Sequence, residues 1–299
     1  MPASSSFNPA FCQASTLVLP PGPWGTVFEC LCAHFAKVPA QQWEDRFARR
    51  RVLDVEGRPL EREAPYRQGL RVHYFREVPE EPVIDVQEQV LFQDEHLVVV
   101  DKPHFLPVTP AGRYVEQTLL RRLIRSLGNP DLVPLHRIDR HTAGLVMFSA
   151  QPATRGTYQA LFAERRIHKV YQAIAPALPG LSFPHRHASR MVKGEPFFEC
   201  ARYPANLTAE THVHVLERSE HWWRYELWPV TGKTHQLRVH MAALGAALCN
   251  DPFYPEVVPD GEQDDFSKPL KLLAQAVSFD DPLTGEPRRF DSRLQLAWP

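Results

Sequence analysis

The sequence predicts an α+β protein, a mixed sheet with helices against it, following a small α+β unit. Three observations predict this. Short strand-like runs outnumber helix-like stretches. The two kinds do not alternate in strict βαβ order. An acidic, proline-bearing stretch, REVPEEPVID at 76–85, divides the chain. A length of 299 residues suits about two domains. The boundaries are expected at 16–78 for the small unit, 79–87 for a linker and 88–299 for the main domain.

The elements follow in order. LPPGPWG at 19–25 reads as a lead-in. Phe28, Leu31, Cys32 and Phe35 recur at helical spacing. PAQQWEDRFARR reads as a second helix, with proline near its start and a basic end. VLDVEGRPL and GLRVHYF alternate as short strands, the first turning at Glu56–Gly57. In the main domain, EQVLFQDEHLVVVDKP reads as a hairpin turning at Gln93–Glu95. EQTLLRRLIRSLG is an amphipathic helix closed by Gly128. LHRIDRHTAG is a loop, closed by Gly144, that leads into a buried strand LVMFSA. ATRGTYQALFAERR is a helix, IHKVYQAIAPA a strand, and WWRYELWPV a strand that breaks at TGK. Thr234 is placed to cap a helix HQLRVHMAAL, with Leu237, Met241 and Leu244 inward and Gly245 at its end. LLAQAVSFDDPLTGEPRRF reads as strand, turn and strand.

Composition narrows the function. Hydrophobic residues at 43% and a net charge of −1 exclude a protein that coats nucleic acid by bulk charge. Positive residues nevertheless cluster, in RFARRR, RRLIR, HRIDRH, ERRIHK and HRHASRMVK, while acids gather in EVPEEPVIDVQE and DGEQDD. Sign segregation of this kind favours a polyanionic partner. The longest apolar runs are too short to cross a bilayer, so no membrane association is expected. The first residues show no secretory signal. Cys12, Cys30, Cys32, Cys200 and Cys249 form neither a disulfide framework nor a redox pair, so a reduced, cytoplasmic setting is expected. No G-x-G-x-x-G or H-E-x-x-H motif is present. The histidine pairs 185/187, 212/214 and 235/240 lack a third ligand at a familiar spacing, so neither metal nor cofactor is expected.

One stretch concentrates possible chemistry. LHRIDRHTAGLVMF sets Asp139 among His136, Arg137, Arg140 and His141. Neighbouring guanidinium groups favour an ionised carboxylate. Such an acid either pins a loop as an ion pair or serves as a nucleophile or base. TGKTHQLRVH carries Arg238 one turn into a helix whose free N–H groups can hold an anion. Arg238 is either an exposed helix arginine or one aimed into a site. Tyr171 is either a core residue or a stacking face with a hydroxyl for a base.

These blocks resemble a known family. LHRIDRHTAGLVMF is similar to the signature HR-[LI]-D-R-x-T-[SA]-G-L of the RluA family of RNA pseudouridine synthases. VLFQDEHLVVVDKP, HKVYQAI, TGKTHQLRVHMAALG and DPFY resemble further family blocks, in the family's order, across 88–299. Residues 16–78 more loosely resemble the small αL-type RNA-binding domain that many members carry. The resemblance implies a mainly antiparallel mixed sheet and a cofactor-free isomerisation of uridine in structured RNA, ribosomal or transfer. It also implies a monomer. Asp139 would be the catalytic aspartate, Tyr171 would lie against the target base and Arg238 would pair with Asp139. Arg137 would hold or replace the flipped nucleotide. Arg140, Thr142, Lys169, Lys233, His235 and Gln236 would complete substrate binding. Two positions depart from the family pattern: Lys233 stands where arginine is usual, and Leu273 where histidine is common.

Overall fold

The computed structural model describes residues 14–78, 81–193, 198–200, 207–256 and 264–299. Residues 1–13 with Cys12, residues 79–80 of the expected linker, and 260–263 of the acidic run lie outside them, as does the Cys200 side chain. The chain divides into two compact units, 1–80 and 81–299.

In the first unit, β1 (Ser15–Val18) precedes α1 (Val27–His34) and α2 (Ala40–Ala48). β2 (Val52–Leu53) and β3 (Arg71–Tyr74) follow. Thr26 and Glu29 cap α1 reciprocally, each side chain accepting the other's backbone N–H. Trp43 and Phe47 of α2 join Val27 and Leu31 of α1 in one core. The sheet order is β1-β3-β2, all antiparallel. β1 is an element the sequence reading passes over. Only two of its four residues are apolar, and its partner lies far downstream. Much of the RFARRR charge is spent internally. Arg49 and Arg51 both pair with Glu77, and Arg46 is buried over the Trp43 ring.

The second unit opens with a hairpin of β4 (Gln89–Gln93) and β5 (Leu97–Lys102). Asp94 Oδ1 makes its turn by accepting the N–H groups of His96 and Leu97. Next come α3 (Leu119–Leu127), β6 (Val133–Pro134), β7 (Ala143–Ser149), α4 (Pro152–Ala163) and β8 (His168–Pro176). β9 (His185–Ser189), β10 (Met191–Lys193), β11 (Phe198–Cys200), β12 (Ala209–Arg218) and β13 (Trp222–Pro229) follow, then α5 (Gln236–Ala243), β14 (Leu272–Asp280) and β15 (Pro287–Asp291). Among the described residues, β10 and β11 pair only with each other. The other ten strands of the unit form one sheet, in the order β4-β5-β7-β14-β8-β13-β12-β9, with β6 added on β7 and β15 on β14. Every pairing in it is antiparallel except β7 with β14.

β14 is therefore a seam between two half-sheets. In the first half, α3 packs Leu119 and Leu123 on Val98, Val100, Val146 and Phe148. On the opposite face, α4 packs Tyr158 and Leu161 on Leu97, Val99, Leu145 and Met147. In the second half, Leu237 and Met241 of α5 pack on Ala173, Val213, Tyr225 and Leu227. Burial of each such side chain contributes roughly 1.5–3 kcal/mol.

Two local readings are corrected. Gly144 is the second residue of β7 rather than the end of the loop, at φ +104°. A Cβ there would lie 2.3 Å from the Ala274 carbonyl oxygen, so glycine is what lets β14 approach. Thr234 does not cap α5. The N-cap is His235, in the left-handed region at φ 56°, with no side-chain cap of its own. The Gln236 side chain folds back and accepts the Lys233 N–H, taking over part of a cap's work. The sequence reading passes over two strands of the large sheet, the ten-residue β12 and β9, whose HRHAS shows no apolar alternation.

Candidate active site

Asp139 lies in the loop between β6 and β7, at the start of the first half-sheet's central strand. The loop is held by its carbonyls. The Thr142 N–H donates to the Asp139 carbonyl at 3.1 Å. The Lys102 ammonium, at the end of β5, donates to the Arg140 carbonyl at 3.2 Å, and also to those of Pro103 and Leu106. The His104 Nδ1–H donates to the His141 carbonyl at 2.7 Å. Three successive carbonyls thus each receive a donor, which fixes the backbone around one side chain. Burial pulls the Lys102 ammonium down to about 7, partly opposed by the Asp139 carboxylate. Burial likewise lowers His104 to about 4, and burial with nearby cations, Arg140 first, lowers His141 to about 3.

The Asp139 carboxylate faces residues of the second half-sheet. Arg238 Nη1 donates to Oδ2 at 3.2 Å, and His235 Nε2 lies 3.7 Å from Oδ1. Arg238 is 1% exposed, so it is not an exposed helix arginine. Its fork is closed by Asp251, with Nε to Oδ2 at 2.8 Å and Nη2 to Oδ1 at 2.6 Å. Asp251 is fully buried and also accepts the N–H groups of Phe253 and Tyr254. Those two rings lie 4.9 and 5.4 Å from the Arg238 guanidinium. The His235 ring stacks on Phe253 and meets the Tyr254 hydroxyl at 3.0 Å through Nδ1. Asp251 was missed in the sequence, although DPFY was on view as a block.

A cavity of about 1150 Å³ opens over Asp139. It exceeds the common range for small-ligand pockets, about 300–1,000 Å³, and has room for a nucleotide with flanking backbone. Arg137, Asp139, Arg140, Thr142, Lys169, Tyr171, Lys233, His235, Gln236 and Arg238 all line it. They do so unequally. Arg137 and Lys233 are exposed, whereas Thr142 is buried beneath the loop. Tyr171 is partly buried against the core, and burial, then the Asp139 charge, push its hydroxyl well above the ordinary phenol range. The Lys169 ammonium stands beside the TGK turn, 3.7 Å from where a Gly232 Cβ would be, and burial lowers it. Gln236 is committed to the protein. Its oxygen accepts from the Thr231 hydroxyl and the Lys233 N–H, and its amide donates to the Glu210 carbonyl and the Thr211 hydroxyl. Arg140 is also engaged, in a bidentate pair with Asp264 at 2.5 and 2.7 Å. Leu273 is buried with Ala143, Ile174 and Leu296, away from the cavity lining.

The model of the RNA pseudouridylate synthase family matches residues 96–243. An RNA pseudouridine synthase of Synechocystis is 31% identical over 222 residues, covering 73% of this chain and 76% of that one. The dual-specificity RNA pseudouridine synthase RluA of Haemophilus influenzae is 30% identical, covering 72% of this chain and 95% of its own length. This chain belongs to the RluA family of RNA pseudouridine synthases. It is therefore an isomerase that acts on uridine in RNA. Among solved structures, the synthase is similar to human RNA pseudouridylate synthase domain containing 4. The TM-score is 0.54 at 26% identity, over 70% of this chain and 88% of that one. Human domain containing 1, at TM-score 0.56 and 21% identity, shares the fold over 71% of this chain and 85% of its own. Among the described residues, no three side chains of metal-ligating type converge, and no helix is long and apolar enough to cross a membrane.

Proposed function

We propose that Asp139 starts the isomerisation on a uridine flipped into the cavity. One observation carries this reading. Asp139 from one half-sheet and Tyr171 and Arg238 from the other meet at a single cavity large enough for a nucleotide. Uridine becomes pseudouridine when the N1–C1′ bond breaks, the base turns and C5 bonds to C1′. Nothing is oxidised and nothing is added, so the reaction requires no cofactor. Attack by the carboxylate on C1′ and removal of the C2′ proton both need an ionised acid beside the ribose. Arg238 holds Asp139 while Asp251 holds Arg238. Tyr171 walls the detached base and takes part in loss of the C5 proton. Extruding the base costs roughly a few kcal/mol, and the exposed Arg137 offsets part of this by filling the gap.

A hydrolytic glycosidase would need a second working carboxylate. Asp251 and Asp264 are the nearby ones, and Arg238 and Arg140 already occupy both oxygens of each. The substrate is ribosomal large-subunit RNA, in preference to transfer RNA, because an extra N-terminal unit suits a large folded RNA. Pseudomonas aeruginosa ribosomal large subunit pseudouridine synthase D, 29% identical over 70% of this chain, supports that choice. The first unit docks RNA, and the enzyme works as a cytoplasmic monomer.

The test is to map pseudouridines in total RNA by carbodiimide-stop sequencing, with and without the gene. Asp139→Ala and Asp139→Asn should lose the gene-dependent stops while retaining RNA binding. Wild-type turnover by Asp139→Ala would falsify the assignment. A primary isotope effect from 2′-deuterated uridine marks the proton-removal route, and its absence marks attack at C1′.

A further inference from the structure

Several donors converge on one carboxylate in the wall of the same cavity. Asp264 Oδ2 accepts from Arg140 Nη1 at 2.5 Å, with the Tyr114 hydroxyl at 3.4 Å and Arg113 Nη2 at 3.5 Å. Oδ1 accepts from Arg140 Nη2 at 2.7 Å and lies 3.9 Å from His141 Nε2. The Tyr114 ring is buried, and each guanidinium sits 5.4 Å from its centroid. Arg140 Nη2 also donates to His141 Nε2 at 2.9 Å, which fixes the fork from behind. Packing therefore sets these donors independently of the acid they hold. Arg113 is 54% exposed, so the cluster opens to solvent.

A planar fork aimed at two oxygens, with two further donors near one of them, is also the arrangement that takes a phosphate. A phosphodiester carries the same single charge and the same pair of oxygens as the Asp264 carboxylate. With Asp264 neutral, two guanidinium groups would share one ring with no anion between them.

We propose that Arg113, Tyr114 and Arg140 form a subsite for a backbone phosphate of the RNA, filled by Asp264 until that phosphate displaces it. The inference rests on RNA being the substrate, and it deepens that reading by assigning these donors to the nucleotide backbone. A phosphate that pairs with a cationic side chain releases the cations condensed on it, ~0.7 per phosphate of a single strand in the log–log salt slope. In the native site the displaced Asp264 carboxylate takes up cations in turn and offsets that release. With Asp264 neutralised nothing offsets it, so the slope steepens by up to ~0.7.

The experiment is fluorescence anisotropy with a labelled oligouridylate, across a potassium chloride series, on the full chain. Asp264→Asn should bind several-fold more tightly than wild type, with the slope steeper by ~0.7. Asp264→Glu keeps the charge and should keep the wild-type slope. Adding Arg140→Gln to Asp264→Asn should remove the gain. Arg113→Gln, at the exposed rim, should reduce it in that same background. Unchanged or weaker binding by Asp264→Asn overturns the proposal. So does a gain that survives Arg140→Gln, since the effect would then be one of net charge. Gene-dependent pseudouridine stops with no Asp264 effect would sink the subsite and spare the catalytic reading. An Asp264 effect without such stops would do the reverse.

Discussion

Two arginine–carboxylate pairs bring their arginines to the same cavity, and they are built differently. Arg238 and Asp251 are 1% and 0% exposed, and the carboxylate is further tied to two backbone N–H groups. Arg140 and Asp264 are 23% and 15% exposed, with an open rim at Arg113. The first pair is framework. Nη1 of the same guanidinium donates to Asp139. The second pair is of the exchangeable kind. Desolvation separates them: removing one partner of a sealed pair strands a charge, whereas water or a substrate anion can replace a partner at the rim. The molecule thus uses one type of contact in two ways, sealed around Asp139 and open at the rim, and burial separates them.

The largest effect should come from breaking the sealed pair. Asp251→Asn frees the Arg238 fork to turn away from Asp139. Steady-state kinetics should show kcat down by about 100-fold, the scale of a misplaced reactive group, with a smaller change in KM. Stability should fall by about 3 kcal/mol in denaturant melts. If kcat stays within a few-fold of wild type, Asp251 is packing and the contrast between the pairs collapses.

Arg140→Gln tests the rim. It should raise KM several-fold, with the main effect on KM rather than on kcat. A dominant loss of kcat would mean that the rim pair positions the loop, as the sealed pair does.

The remaining effect is on stability in acid and not on turnover. His104, His136 and His141 surround the loop, and burial holds them at about 4, about 3 and about 3. His136 is neutral in the fold, where its Nε2 accepts the Met147 N–H. In the unfolded chain the three take up protons near 6.5. Between pH 6.5 and 4 the unfolded state therefore binds more protons, and stability falls as the pH falls. Each such proton is worth at most about 1.4 kcal/mol per pH unit. Denaturant melts stepped from pH 7 to 4 should show this decline, and His136→Gln should flatten it by one proton. A flat profile in wild type would mean that these rings already carry charge in the fold.

Much of this was legible in the sequence. The hairpin ending at Lys102, the helix closed by Gly128 and the strand of Tyr171 all follow from spacing and turn chemistry. That Asp139, Tyr171 and Arg238 converge was implied by the family resemblance and not by local patterns. What stayed hidden was long-range polar pairing. Asp251 looks like a turn residue before proline, and only folding brings it onto Arg238. Asp264 sits in an acidic run that reads as a solvated surface. Lys102 reads as the polar end of a strand, yet it is fully buried and feeds three carbonyls. Gln236 was assigned to substrate, but its amide is consumed in closing the turn before α5.

The seam at β14 has a consequence for synthesis on the ribosome. Asp139, Tyr171 and Arg238 all emerge before Leu272, so a nascent chain holds all three side chains while the strand that joins their two half-sheets is still unmade. Parallel pairing with β7 and antiparallel pairing with β8 both wait for it. A product arrested before that point has Asp139 and Arg238 on two half-sheets that nothing yet joins. The seam closes when Ala274 comes in against Gly144.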